Sequence, residues 1–325
     1  MASNRPIFVI GCPRSGTTML SLMLHAHSRI AMPPETRFLT WVYRNHATFG
    51  DLSEPENRRV LALAIVQRRG TAFRDLGLNR GAVRQAIVAG PPTIGSAVGT
   101  VFRSYAQRFG KERWGDKRPG YYQNMDAIQA MFPEAQFVHL IRDGRDCVAS
   151  LARVPWFTGG VIGGITLWTE AVDYGWRAAR RLPADTFHEL KYEDLIAHPR
   201  AELQRLCDYL GEEFEDAMLE PHRVAGQAVP DRKHWHANTR RPLSADSVGG
   251  YGEVLKPAEV RLINFVAGRR LRRLGYDTPA ARRPPPLVMV ARYAVRSARH
   301  RSRVRLRIIG DRRIARSGTP LEDRG

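Results

Sequence analysis

Cysteine is scarce in this chain: Cys12, Cys147 and Cys207 are the three among 325 residues. Thiols so few and scattered exclude a disulfide framework and a cysteine-based zinc site. Long hydrophobic runs are missing too. No stretch approaches the roughly 18 apolar residues of a membrane span. Pro6–Gly11 is too short for a secretory leader, so the expected setting is the cytoplasm. Acids are outnumbered, 32 against 51 lysines and arginines, for a formal net charge of +19. The surplus is uneven. From Ala281 onward there are thirteen arginines and three acids, which puts +10 in the last 45 residues and +9 in the first 280. The excess is therefore a property of a tail and not of the whole chain. One more absence is local. "FVIGCPRSGTTML", Phe8–Leu20, has the spacing of the phosphate loop G-x-x-x-x-G-K-[ST], but Thr17 stands in the lysine position.

The remaining composition, 43% hydrophobic and 26% charged, is that of a globular chain with no internal repeat. Apolar patterning predicts strands at Ile7–Ile10, Ile30–Met32, Arg113–Asp116, Gln136–Ile141 and Thr186–Lys191. Helices are expected between them at Ser15–His27, Arg37–His46, Pro55–Arg69, Arg80–Ala89, Ser96–Arg108, Met125–Met131, Arg145–Leu151 and Gly164–Leu182. Two more are expected at Pro199–Leu210 and Pro257–Leu274, and Val224–Gly252 is irregular. Alternating strands and helices imply an α/β fold with a mostly parallel sheet covered on both faces. Residues 1–280 are expected to form one domain with helical insertions. Pro284-Pro285-Pro286 marks the boundary with an arginine-rich tail, 281–325.

Two clusters carry chemistry. Between a strand and a helix, the backbone N–H groups of Gly11–Thr18 converge on an anion, with Arg14 as the loop's one cation. The plain alternative is a tight turn capped by Ser15 or Thr17. Without the lysine, ATP is not held in the usual mode. The second cluster is "FVHLIRDGRDCVAS", Phe137–Ser150. Ligands of open α/β sheets bind at the carboxyl ends of strands, which brings Arg142 to the same edge as Arg14, with Ser150 a little way into the following helix. The alternative for Arg142 is a structural salt bridge. Cys12 and Cys147 lie inside these two loops, either as oxidation-sensitive thiols or as small filler.

The paired clusters resemble the sulfotransferase family that uses 3′-phosphoadenosine 5′-phosphosulfate (PAPS), most of all its tyrosylprotein and bacterial carbohydrate branches. The resemblance spans roughly Pro6–Leu274 and implies a P-loop-like parallel sheet and a sulfuryl transfer that needs no metal. It implies that Pro13, Arg14, Ser15, Gly16, Thr17 and Thr18 hold the 5′-phosphosulfate, and that Arg142 and Ser150 hold the 3′-phosphate. Glu35, in "MPPETRFLT", stands where those branches carry a glutamate base; a carboxylate favoured by a helix N-terminus is the bland alternative. Arg14 occupies a position where aryl and steroid members usually have lysine. Lys117, in "RWGDKRPG", is similar to a lysine that contacts the transferring group, although Asp116 precedes it and shifts the register; a solvated turn lysine is the alternative. Tyr192, in "LKYEDLIAHP", resembles a residue near the adenine, or is a core tyrosine. Arg240, Arg241 and Ser247 are candidates for the late loop that closes the 3′-phosphate site. His234 and His236 lack further ligands nearby and are not taken as a metal site. His139, inside a strand, is expected in the core.

The function implied is transfer of a sulfuryl group from PAPS to a hydroxyl of a carbohydrate, glycolipid or secondary metabolite, with Glu35 as base and Arg14 and Lys117 neutralising charge. A P-loop small-molecule kinase is the alternative among enzymes. A basic membrane- or nucleic-acid-binding protein without catalysis is the alternative among non-enzymes, but it leaves Gly11–Thr18 unexplained. Arg292, Arg296, Arg299, Arg303 and Arg307 recur at helical spacing, and Val290, Ala291, Ala294, Val295 and Ala298 lie largely away from them. Residues 287–307 are therefore expected to form a helix that seeks an anionic membrane surface, at the periphery of the membrane, which would suit a lipid-linked acceptor; a merely solvated or disordered arginine-rich tail is the alternative. No specific nucleic acid is expected, since such a tail attracts nucleic acid only non-specifically. Trp41, Tyr43 and Phe49 either stack on a sugar or pack a core.

Overall fold

Four consecutive apolar residues, Ile7 to Ile10, cannot leave either strand face in water. The fold supplies cover on both. The computed structural model describes residues 3–228, 241–242, 244–279, 283–315 and 320–324. Its strands are β1 (Ile7–Gly11), β2 (Ile30–Ala31), β3 (Arg113–Lys117), β4 (Gln136–Ile141) and β5 (Phe187–Lys191). They form a parallel sheet in the order β2-β3-β1-β4-β5. The chain leaves β1 toward β2 and β3, then crosses to the other side for β4 and β5. The strand order therefore reverses beside β1, the position where open α/β sheets leave a ligand crevice.

The helices are α1 (Thr17–Ala26), α2 (Phe38–Arg44), α3 (Pro55–Gln67), α4 (Arg80–Ala89), α5 (Ile94–Arg108), α6 (Met125–Met131), α7 (Gly144–Ala152) and α8 (Gly160–Arg181). After β5 come α9 (Tyr192–Ala197), α10 (Pro199–Leu210), the single turn α11 (Ala225–Ala228), α12 (Pro257–Arg273) and α13 (Leu287–Ala315). The strict alternation of strand side chains divides the core in two. Phe8, Ile10, Phe137 and Ile141 pack with residues of α2–α8 and α12, while Ile7, Val9, Val138 and Leu140 pack with α1, α9 and α10. Phe8 is the aromatic hub of the first layer, with ring centroids 5.8–6.0 Å from those of Trp114, Tyr121, Phe132 and Phe137.

All five expected strands are present, and most expected helices lie within a few residues of their observed bounds. The differences have local causes. Ser15 and Gly16 stay in the loop, so α1 begins at Thr17. Thr93 caps α5 by accepting from Ser96 N at 3.0 Å, which starts that helix at Ile94. The helix expected over Arg37–His46 stops at Arg44, and a 3₁₀ turn, His46–Phe49, follows.

The largest departure is at the tail. The described residues beyond 286 pack against the rest of the chain. The inward face of α13, Val290, Tyr293, Ser297, His300, Val304 and Asp311, rests on the fold. His300 meets Glu170 of α8 at 2.9 Å, and Asp311 accepts from Arg44 Nε at 3.1 Å. Arg307, expected on the outward stripe, turns inward and donates to Gln123. Past the helix, Gly95 N donates to Leu321 O at 2.7 Å and Arg103 pairs with Asp323 at 2.6 Å. The expected division at 280 thus marks a change in composition across a chain that packs back on itself.

Phe8→Ala should destabilise the protein by about 3–5 kcal/mol, the usual cost of removing a buried aromatic. Urea unfolding should show this as a lower midpoint with an unchanged slope.

Candidate active site

The glycine loop is a constrained structure. Ser15 N donates to Cys12 O at 3.1 Å, closing the turn. Arg14 sits at φ 74, a left-handed conformation that costs a non-glycine residue on the order of 1–3 kcal/mol. Gly16 has φ 98, and a Cβ there would lie 2.4 Å from Cδ2 of Tyr192. Glycine is required at this point both by conformation and by space. No side chain caps α1. The capping roles considered for Ser15 and Thr17 are not taken up, and the first-turn amides of α1 have no intrahelical acceptor.

The second cluster meets this loop. In the β1–β4 register, Gly11 lies opposite Leu140, so the loops after the two strands emerge side by side. Arg14 Nε donates to Ser150 Oγ at 3.0 Å, across 136 positions of sequence. Arg142 Nη1 donates to Arg14 O at 3.3 Å, and its guanidinium stacks 4.6 Å from the centroid of the Tyr192 ring. Two arginines are thus drawn together out of water. Burial first, and then the charge of Arg142, lower the pKa of Arg14. Asp146 answers part of this charge at 3.6 Å from Arg142. Among the described residues, Arg142 Nε and Ser15 Oγ are buried with no hydrogen-bond partner. Buried polar atoms of this kind ordinarily find partners. Their position beside two guanidiniums and open helix amides fits a ligand carrying phosphate or sulfonate oxygens.

Residues 247–251, the described end of the late loop, meet this edge. Asp146 accepts from Gly249 N at 2.8 Å and from Tyr251 N at 3.0 Å, and Arg142 donates to Ser247 O. Arg145 lies 4.6 Å from the Tyr251 ring centroid. Asp143 N donates to Glu193 Oε1 at 2.9 Å, and Tyr276 donates to Glu193 Oε2 at 2.8 Å, tying α7, α9 and the chain after α12 into one frame.

The third group lies on β3. Val9 lies opposite Lys117, which carries that side chain to the α1 side of the sheet. Lys117 Nζ is 3.3 Å from Thr18 Oγ1 and 3.2 Å from Glu35 Oε2. A cation missing from the loop sequence is therefore supplied from the neighbouring strand. Lys117 is buried, not a solvated turn residue, and Glu35 is partly open. On the opposite face of β3, Asp116 accepts from Tyr121 OH at 2.7 Å and from Lys117 N at 2.9 Å. Burial pushes its pKa up to about 7, with Glu35 adding to the rise.

Arg14, Ser15, Gly16, Thr18, Glu35, Lys117, Arg142, Ser150 and Tyr192 thus gather at the carboxyl ends of β1, β3 and β4, with Pro13 and Thr17 in the same loop. Arg241 is exposed, and no contact among the described residues ties it to this group. Arg240, His234 and His236 lie outside the described residues. His139 is buried against Phe187, 3.2 Å from Glu189, and so belongs to the core as expected. Tyr43 and Phe49 are core residues as well, while Trp41 carries Arg68 at 4.3 Å from its ring. Sequence reading missed Asp116, Asp146 and Glu193. Acids inside the "RWGDK", "RDCVAS" and "KYEDL" stretches were the available signal.

A model of the Sulfotransferase family matches residues 6–216. Protein-tyrosine sulfotransferase A of Caenorhabditis elegans is 24% identical over 281 residues, covering 84% of this chain and 68% of that protein. Protein-tyrosine sulfotransferase 1 of Danio rerio is 25% identical over 299 residues, covering 87% and 76%. Among solved structures, the sulfotransferase domain of the Synechococcus PCC 7002 olefin synthase aligns with a TM-score of 0.58 at 23% identity, over 86% of this chain and 97% of that one. The sulfotransferase domain of the curacin biosynthetic pathway aligns at 0.57 and 18%, over 86% and 100%. At these identities the structural likeness is one of fold.

The raised pKa of Asp116 has a signed consequence. The folded state holds its proton more tightly than the unfolded chain, so this group's stability contribution is full below its ordinary value of 3.8 and is lost as pH rises toward about 7. Asp116→Asn should flatten that part of the stability–pH curve. Thermal melts of both proteins across this window give the comparison, and parallel curves would place the titration elsewhere.

Proposed function

The chain belongs to the sulfotransferase family, and on that premise we propose that it moves a sulfuryl group from PAPS to an acceptor hydroxyl. The observation that carries this reading is the junction of Arg14, Ser150 and Arg142, with buried polar atoms left for a ligand. The loop amides, Ser15, Thr17 and Thr18 would hold the 5′-phosphosulfate. Arg142, Ser150 and the late loop would hold the 3′-phosphate, with Tyr192 as the floor beneath Arg142.

Glu35 would take the proton of the acceptor hydroxyl. The acceptor oxygen then bonds to sulfur as the bond from sulfur to the 5′-phosphate oxygen breaks, releasing 3′,5′-diphosphoadenosine. Lys117 lies between Glu35 and Thr18, where its ammonium would neutralise charge developing on the leaving oxygen. Positioning and electrostatics would supply most of the acceleration. The kinase alternative finds little support, since the loop lacks its lysine and the compensating Lys117 is paired to a carboxylate. The acceptor is proposed to be a hydroxyl of a carbohydrate, glycolipid or secondary metabolite. The names of the relatives add a protein tyrosine to that range.

Three measurements test the reading. Melting should be shifted upward by 3′,5′-diphosphoadenosine and not by ATP–Mg²⁺; the reverse pattern would sink the proposal. Glu35→Gln should lose about 10²–10⁴-fold in turnover while retaining nucleotide affinity. Near-full activity with a responsive acceptor, found by screening sugars, polyketide alcohols and tyrosyl peptides, would place the base elsewhere. Arg142→Ala should weaken 3′,5′-diphosphoadenosine by roughly 1.5–3 kcal/mol and adenosine 5′-phosphosulfate by much less. Equal losses by calorimetry would make Arg142 a structural residue.

A further inference from the structure

Because its inner face is already used against the fold, α13 has a second face to explain. Nine large hydrophobic side chains stand exposed among the described residues, and five of them are on this helix: Leu287, Val288, Val295, Leu306 and Ile309. Their exposure runs from 43% to 85%. Val288, Ala291, Val295, Ala298, Leu306 and Ile309 recur at intervals close to whole turns, so they form one outward stripe, opposite Val304 and Ser297 on the buried side. Arg292, Arg296, Arg299 and Arg303 border the stripe on one side, Arg301 and Arg305 on the other, and all six are exposed. No acid occurs between Leu287 and Gly310. The inward acids near the helix are engaged: Glu170 with His300, Asp311 with Arg44.

A neighbouring loop adds to this surface. Arg296 and Phe157 both approach Gly163, and Trp156, next to Phe157, is 47% exposed. Tryptophan with its ring half out of a surface is favoured at the boundary between headgroups and acyl chains. No described helix is long and apolar enough to cross a membrane, so the stripe has the chemistry of a helix that lies in the interface plane.

We propose that α13 docks on an anionic lipid surface, with its apolar stripe entering the acyl boundary and the flanking arginines meeting lipid phosphates. The choice of occupant rests on charge complementarity. A stripe of aliphatic side chains bordered on both sides by cations and free of acids matches a surface that is apolar inside and anionic at its rim. Nucleic acid would engage the arginines and leave the stripe in water. A second copy of this chain would set arginine against arginine. The inward contacts of α13 hold the stripe in one orientation before docking, which lowers the ordering cost of binding. The proposal is independent of the sulfuryl-transfer reading.

The test is co-sedimentation of the full chain with phosphatidylcholine vesicles, with and without phosphatidylserine. Binding is expected only with phosphatidylserine. Val295→Asp/Leu306→Asp should weaken it at least about tenfold, because two buried aliphatic side chains are lost and two like charges are added. Should that variant melt well below the parent protein, Arg292→Gln/Arg299→Gln/Arg303→Gln serves in its place, with about a fivefold loss expected per arginine. No binding to phosphatidylserine vesicles would overturn the proposal, as would equal binding by the aspartate variant. Light scattering that shows a dimer abolished by the aspartate variant would assign the stripe to a second copy and overturn it as well. So would duplex DNA that displaces the protein from vesicles and binds the aspartate variant unchanged.

Discussion

The parallel pairing of β1 with β4 is the constraint on which the rest of the structure depends. It sets Gly11 opposite Leu140, so the loops carrying Arg14 and Arg142 are neighbours. Two loops far apart in sequence leave the sheet together, one carrying Arg14 and the other Arg142. Asp146 lies 3.6 Å from Arg142 and answers part of this charge. Burial and the charge of Arg142 lower the pKa of Arg14. An anion bound between these two guanidiniums would replace lost water and separate like charges.

The second constraint is the pairing of β1 with β3. It sends Lys117 and Asp116 to opposite faces of one strand. Lys117 meets Thr18 and Glu35, while Asp116 is buried with the Tyr121 hydroxyl. A carboxyl with a pKa near neutrality therefore lies directly behind the cation–carboxylate pair of the site. The pair is held by a strand, β3, and by the short segment after β2.

The arginine-rich end of the chain illustrates how composition and packing answer different questions. Its charge set it apart in the sequence, yet Glu170, Gln123, Arg44 and Gly95 all receive it. Arg307 shows the limit of periodicity as a guide. Its spacing matched the outward stripe, but Gln123 lies within reach on the other side and the helix is rotated to suit its buried residues. Burying Tyr293, Ser297 and Val304 outweighs keeping one arginine in water.

The sequence by itself determined the strands, most helices, and the two loops of the candidate site, because these depend on local information. An apolar run seeks cover, and glycine spacing permits a turn that other residues cannot make. It also placed Glu35, Lys117 and Tyr192 as candidates, each with a bland alternative left open. Only the tertiary structure showed where each of them lies. Strand register put Lys117 beside Thr18, the bulk of Tyr192 against Gly16 explained that glycine, and Arg14 reached Ser150 across 136 positions. Asp146 and Glu193 were invisible as frame residues because several of their partners are backbone amides, which every sequence contains and none advertises. Pairing between distant segments is a sum of many weak contacts spread over the whole chain. No short stretch encodes it, and so it is settled only when the chain is folded.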